Sequence, residues 1–403
     1  MVLKRLADRL AFLLRIRVTR VSMLVLRVLP LRKAFFFSSY EGKQYSCNPK
    51  AVFEALRSDP RFNEYYFIWE MNNAETQALC PNDRVRFVSH GSLNYYIAIM
   101  TCSCLITNSG VSPRFPLRKR QLNINTWHGG GGFKKVGRAA NSDIGENAPE
   151  HRVSSAQTSL FVSSSRLFTE VMSSSIDMPE EKFLSIGMPR NDMFFSRQLV
   201  ADARKRVVRR YGLDEDNFLI LYAPTYRGAV GSDVIADNVL NIRDLKESFR
   251  ERFGRTPVVL IRTHYFNGRN SGYDDGVDVN DYPDMQDLLA AADSLITDYS
   301  SSIWDYGLTG KPCFIYAFDL DDYERERGFY TEPRDWPGVL ATTEKELNQA
   351  IRTFDAGEYR NKVDSYYKNA RSFDNGTATQ ALVGEINRRL GLQDACRPSR
   401  TAL

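Results

Sequence analysis

The chain has 403 residues, 43% of them hydrophobic and 26% charged, with a net charge of +5. That length suits two domains better than one, and that composition excludes a disordered chain. The mild basic excess suits an anionic substrate or surface and does not by itself define a nucleic-acid binder.

The first 33 residues hold nine Lys or Arg against one Asp, set among Leu and Val. No apolar run reaches the roughly 20 residues that span a bilayer. Arg15, Arg17, Arg20 and Arg27 would interrupt the core of a signal peptide. On a helix, Leu3, Leu6, Leu10, Leu13, Leu14, Val21, Leu24 and Val28 share one side, with Arg5, Arg9, Arg20 and Arg27 on the other. The pattern predicts a helix over 1–33 lying on an anionic membrane surface; packing on its own domain or a partner subunit is the alternative.

From residue 34, strands and helices alternate. "AFFFSSY" reads as a strand closing in small hydroxyls, and "NPKAVFEALRS" as a helix. "YYFIWEM" and "RVRFVSH" are short strands, "SLNYYIAIMTC" a helix, and "CLITN", "LNINTWH" and "TSLFVSSS" further strands. After "LSIGMPRNDMFF" a charged helix, "RQLVADARKRVVRRYG", interrupts the series. It restarts with "NFLILYAPTYRG", "TPVVLIRTHYF", "SLITDYSSS" and "KPCFIYAF", and the stretch from Thr343 to Leu392 is helical. Such alternation predicts parallel βαβ units. The expected architecture is α/β: two Rossmann-like domains, 34–190 and 191–392, facing across a cleft, then a frayed tail over 393–403. The six cysteines show no CxxC pair and no metal spacing, so core packing is their expected role. Cys102 and Cys104, two apart in a strand, should share one face.

Chemistry gathers at strand ends. His128 closes one strand and opens "HGGGGFKKVG", where Gly129 and its neighbours let backbone approach a ligand and Lys134 adds positive charge. His264 closes another beside Arg262, a pairing that suits an anionic leaving group. "APTYRG" brings Thr225, Tyr226 and Arg227, and "GMPRND" brings Arg190, Asn191 and Asp192 to the presumed hinge. In "TDYSSSIWDYG", Ser300, Ser301 and Ser302 follow a strand where a helix should begin. One serine would serve as a cap, and three predict a diphosphate cradle. His90 and His151 lack such surroundings. No Asp-x-Asp lies at a strand end, and "DLDDYERERG" reads as a solvated loop. No metal or other cofactor is expected, so basic side chains and helix N-termini would neutralise the leaving group.

Taken in order, "NTWHGGGGFKKVG", "GMPRND", "APTYRG", "RTH" and "TDYSSSIWDY" resemble the CDP-glycerol glycerophosphotransferase family, the teichoic acid primases and polymerases of GT-B fold. "FFFSSYEGKQYSCNPKAVFEAL" is similar to that family's opening strand and helix, and the resemblance covers roughly 34–390. It implies transfer of a polyol phosphate, glycerol phosphate foremost, from a CDP-activated donor to a hydroxyl of a lipid-linked saccharide or growing teichoic-acid or capsule-type polymer, with release of CMP. His128 becomes the general base and His264 the partner of the donor diphosphate. Arg227, Thr297, Ser300 and Ser301 become donor-binding residues, with Asp298 and Asp305 in support. Gly129, Lys134, Arg190, Asn191, Asp192, Thr225, Tyr226, Arg262 and Ser302 complete the donor-binding set. The enzyme would be peripheral on the cytoplasmic face of the cell membrane. One departure stands out: the family continues "WHG" with Thr-Pro-Leu-Lys, whereas this chain has "GGGFKK", one residue longer, which leaves the transferred group open between glycerol and ribitol phosphate. The rivals are a GT-B glycosyltransferase using a nucleotide sugar and a non-catalytic membrane-associated scaffold. A nucleic-acid partner is not expected, because the basic excess sits in an amphipathic helix.

Overall fold

The computed structural model describes residues 17–71, 83–140, 148–225, 240–263 and 275–392. Tyr226, Arg227 and His264 lie outside the described residues, as do residues 1–16 and the tail 393–403.

Thirteen strands are described. Those of the first half are β1 (Arg32–Ser38), β2 (Tyr66–Glu70), β3 (Val85–Val88), β4 (Cys102–Thr107), β5 (Leu122–Asn125), β6 (Leu160–Ser163) and β7 (Phe183–Ser185). They pair in the order β3-β2-β1-β4-β5-β6-β7, every pair parallel. The second half has β8 (Phe218–Tyr222), β9 (Pro257–Ile261), β10 (Val277–Asp278), β11 (Ser294–Thr297), β12 (Cys313–Tyr316) and β13 (Val339–Ala341). Their order, β10-β9-β8-β11-β12-β13, is the doubly wound one and again wholly parallel. Strand order reverses beside β1 and beside β8, so each sheet offers a ligand crevice at the carboxyl ends of its central strands.

Helices on both faces explain why the strands read as unbroken apolar runs. Phe35 and Phe37 of β1 pack with Val52 and Phe53 of the helix Cys47–Ser58. Ala34 and Phe36 pack on the opposite face with Ile99 and Met100 of the helix Leu93–Thr101. The two cysteines of β4 do not share a face. Cys104 lies in the first of these cores and Cys102 in the second. Cys102 caps the preceding helix, and β1 carries one extra residue opposite it, between Arg32 and Phe35, so the alternation slips there.

A second correction concerns the C-terminus. The helix Ala378–Leu390 does not stay with the second sheet: its Leu382, Val383 and Ile386 are buried in the first core. Each such side chain contributes about 1.5–3 kcal/mol relative to exposure.

The N-terminal segment is helical over 17–24 and ends in the 3-10 turn Val25–Val28. Met23 and Leu26 pack on the first half. Arg20, expected on the solvated side, instead docks the helix, donating to the carbonyl of Phe115 at 3.5 Å and to Oε1 of Gln157 at 3.1 Å. Facing away are Val18, Val21, Leu24, Val25 and Val28, all exposed. Among the described residues no helix is long and apolar enough to cross a membrane.

Candidate active site

His128 follows β5 and stands half-buried on the cleft between the halves. Its orientation is built locally. Asn125 Oδ1 accepts from the Trp127 N–H at 2.9 Å, folding "NTW" into a side-chain-closed turn. Trp127 then takes φ of +53°, a left-handed conformation costly for a bulky residue. Asn48 Nδ2 holds the strained peptide by donating to the carbonyls of Thr126 and Trp127, each at 3.0 Å. The imidazole stacks on the Trp127 ring, with centroids 4.7 Å apart.

Nδ1 of His128 lies 2.8 Å from the Asn108 carbonyl oxygen, at the end of β4. A carbonyl can only accept, so Nδ1 carries the proton and Nε2 is left as a lone-pair acceptor. Burial pushes the imidazole below its ordinary value; the Asn108 carbonyl opposes this, while Arg190 and Lys134 push it further down. The ring is therefore neutral near pH 7 and competent to take a proton. Asn108 itself was not singled out in the sequence. Its Oδ1 accepts from the Tyr40 N–H at 2.8 Å, and its Nδ2 is buried without a partner among the described residues.

The glycines after His128 serve close packing between the halves. A Cβ on Gly130 would lie 2.3 Å from Cδ1 of Trp304, and one on Gly129 would lie 3.1 Å from Cβ of Ser301. The loop then pairs with the second half: Lys134 forms an antiparallel bridge with Phe329, and the Tyr330 N–H donates to the Phe133 carbonyl at 2.9 Å. The result is a cleft of about 350 Å³ beside His128. Its walls are Trp127, Phe133, Val136, Phe168 and Met172 from the first half and Tyr299 and Ser301 from the second, with Lys134 and Arg327 as its charged lining.

Arg190, Asn191 and Asp192, expected in donor binding, are each engaged with other parts of the protein. Arg190 is 6% exposed; its guanidinium meets Asp305 at 2.7 Å and donates to the carbonyl of His128 at 2.8 Å and to Sγ of Cys47 at 3.1 Å. Burial is the largest single influence and works against that charge, yet Asp305, Cys47 and Tyr40 together outweigh it and hold the guanidinium above its ordinary value. Asn191 donates to Asp305 at 3.0 Å and accepts from Gln286 at 3.3 Å. Asp192 accepts from the backbone N–H groups of Ala378 and Thr379 at 3.0 and 2.7 Å, opening the last helix. Asp374 completes this seam, accepting from the Met188 N–H at 2.8 Å and from Trp304 Nε1 at 2.9 Å. Burial drives its carboxyl up to about 7 against those donors.

At the second sheet's edge, Asp298 accepts from the Thr225 N–H through both oxygens, at 3.0 and 2.9 Å, tying the ends of β8 and β11. Thr297 Oγ1 donates to the Ala223 carbonyl at 2.6 Å. Ser300 Oγ accepts from the Ser302 N–H at 3.2 Å and lies 2.9 Å from Ser302 Oγ, so these two largely satisfy one another at the start of the helix Ser302–Gly307. Ser301 reaches across to the His128 carbonyl at 3.4 Å. Arg262 donates to the carbonyls of Val279 and Tyr282 at 3.1 and 2.8 Å, a supporting position at the end of β9. Thus His128, Gly129, Lys134 and Ser301 come together on one cleft, while Thr225, Thr297, Asp298 and Ser300 mark the neighbouring strand ends. Arg327 closes an acidic stretch and carries no mark of a site in the sequence; Tyr299 stacks on Tyr323 of that same stretch, centroids 4.0 Å apart, and its hydroxyl donates to Asp319 at 2.9 Å.

Two doubly wound sheets face to face, closed by a final helix that returns to the first and with a histidine on the cleft, define the GT-B architecture. The chain belongs to the family of CDP-glycerol:poly(glycerophosphate) glycerophosphotransferases, whose model matches residues 21–388. It is 30% identical over 374 residues to the teichoic acid poly(glycerol phosphate) polymerase of Staphylococcus epidermidis, covering 88% of this chain and 50% of that one. The chain thus spans about half the length of that relative. It is 28% identical to the teichoic acid glycerol-phosphate transferase of Staphylococcus aureus, covering 90% of this chain and 95% of the other. The wall teichoic acid polymerase TagF superposes with a TM-score of 0.78 at 28% identity, over 96% of this chain and 97% of that structure. A TagF variant soaked with CDPG gives the same TM-score at 27% identity, over 94% and 98%.

Proposed function

We propose that this chain transfers glycerol phosphate from CDP-glycerol to a hydroxyl of a teichoic-acid-type acceptor, with His128 as general base. The observation that carries the reading is the 2.8 Å contact of Nδ1 with the Asn108 carbonyl, which leaves Nε2 as the proton acceptor. The acceptor oxygen bonds to the glycerol-bearing phosphorus, the bond from that phosphorus to the bridging oxygen breaks, and CMP departs. The acceptor's proton goes to Nε2. The donor's diphosphate would lie at the carboxyl ends of β8 and β11, near Thr225, Thr297 and Ser300, with Asp298 fixing both strand ends and Asp305 anchoring the seam behind them. The exposed Val18, Val21, Leu24, Val25 and Val28, beside a basic N-terminal segment, suit a peripheral seat on an anionic membrane, where a lipid-linked acceptor resides.

The test is release of nucleotide from CDP-glycerol, CDP-ribitol and several UDP- and GDP-sugars in the presence of a membrane-lipid acceptor. CMP release from CDP-glycerol, lost in His128→Ala with an unchanged circular-dichroism spectrum, is the expected result. Turnover with a nucleotide sugar alone would make the enzyme a glycosyltransferase on the same fold.

A further inference from the structure

The cleft beside His128 has a charge character that the general-base role leaves unexplained. Its charged lining, Lys134 and Arg327, is wholly cationic, and His128 on the same cleft is neutral. Among the described residues Arg327 has no ion pair, although other charges of its helix pair with one another, as Arg325 does with Asp322. The cations are held together by architecture. The Lys134–Phe329 bridge and the Lys135 N–H to Gly328 carbonyl bond, 3.1 Å, clasp the glycine loop to the segment that Arg327 opens. Val136, Phe168 and Met172 line the same cleft with apolar side chains, which offer an anion no competing side-chain donor.

We propose that Arg327, with Lys134 beside it, is the acceptor-reading site: the guanidinium takes the phosphodiester one unit behind the attacking hydroxyl. This rests on the glycerophosphotransferase reading. The space next to Nε2 must hold the hydroxyl whose proton is removed, so an anion reaching these cations from that hydroxyl belongs to the acceptor. The donor's diphosphate has its own place at the edge of the second sheet. A guanidinium forks onto two phosphate oxygens, so an acceptor already ending in a glycerol phosphate unit gains a contact that a neutral polyol or saccharide lacks.

The first experiment is calorimetric binding of a synthetic glycerol phosphate trimer, without donor, to the wild-type chain, Arg327→Ala, Arg327→Lys and the control Arg325→Ala. Arg327→Ala should weaken binding on the order of ten-fold, the worth of one charge-assisted contact, with Arg327→Lys between it and wild type and Arg325→Ala like wild type. In turnover, Arg327→Ala should raise the KM for a phosphate-bearing acceptor about ten-fold more than the KM for CDP-glycerol. Equal trimer affinity in wild type and Arg327→Ala overturns the proposal, as does a KM increase confined to CDP-glycerol. Because trimer binding needs no turnover, it separates this inference from the function: arginine-dependent binding by a protein that never releases CMP would keep the site and remove the reaction.

Discussion

Two polar regions lie within one hydrogen bond of each other, and they use charge in opposite ways. In the seam behind the cleft, Arg190, Asn191, Gln286, Asp305 and Asp374 bond to one another and to the backbone. On the rim in front of it, His128 uses one nitrogen for architecture and keeps the other, and Lys134 and Arg327 are among the residues that line the cleft. The carbonyl of His128 joins the two regions, since the Arg190 guanidinium donates to it. Buried, paired charge here positions the cleft, and the proposed chemistry falls to the histidine nitrogen that architecture does not use.

The comparison breaks most severely at His128. His128→Ala should lower kcat by about 10²–10⁴-fold, the usual worth of a positioned base, while thermal unfolding stays near wild type. Because burial first, then nearby cations, depress its pKa, activity should hold through pH 7 and fall only below the ordinary imidazole value of about 6.5. An acid limb centred above that value would contradict the assignment.

In the seam, Arg190→Met should leave the Asp305 carboxylate buried and unpaired, costing about 3–5 kcal/mol in chemical denaturation. Gly130→Ala should cost about 1–3 kcal/mol, because its methyl meets the Trp304 indole and the halves must part to admit it. A still smaller effect belongs to Asp374. Its folded pKa, raised to about 7, means that the folded chain binds more protons than the unfolded one between roughly pH 4 and 7, so stability declines as pH rises across that window. Melting temperatures of Asp374→Asn and wild type, compared from pH 5 to 7.5, should diverge in favour of the variant as pH increases. Parallel curves would mean that the carboxyl stays ionised throughout. Smallest is a triple change of Val18, Val21 and Val25 to Ser, which should weaken sedimentation with anionic vesicles and leave turnover on a soluble acceptor as it was.

Much of this was legible in one dimension. The strands announced themselves as apolar runs, and their ends carried His128, Thr225 and Asp298 because parallel sheets expose chemistry there. What escaped were contacts between distant residues. Nothing within "GMPRND" tells that Arg190 meets Asp305, 115 positions further on, or that Asp192 opens a helix at Ala378. Within the serine run, spacing cannot show that Ser300 and Ser302 bind each other. Arg327 sits in an exposed, largely acidic stretch, and nothing in that composition tells that it lines the cleft.

The return of the helix Ala378–Leu390 to the first core also bears on how the chain is made. Leu382, Val383 and Ile386 are made after every strand of the second sheet, yet they fill the hydrophobic centre begun by Phe35 and Phe37. The first half therefore cannot finish folding as it emerges. It must wait, with an apolar groove beside the helix Cys47–Ser58 still open, until the whole second half has been synthesised.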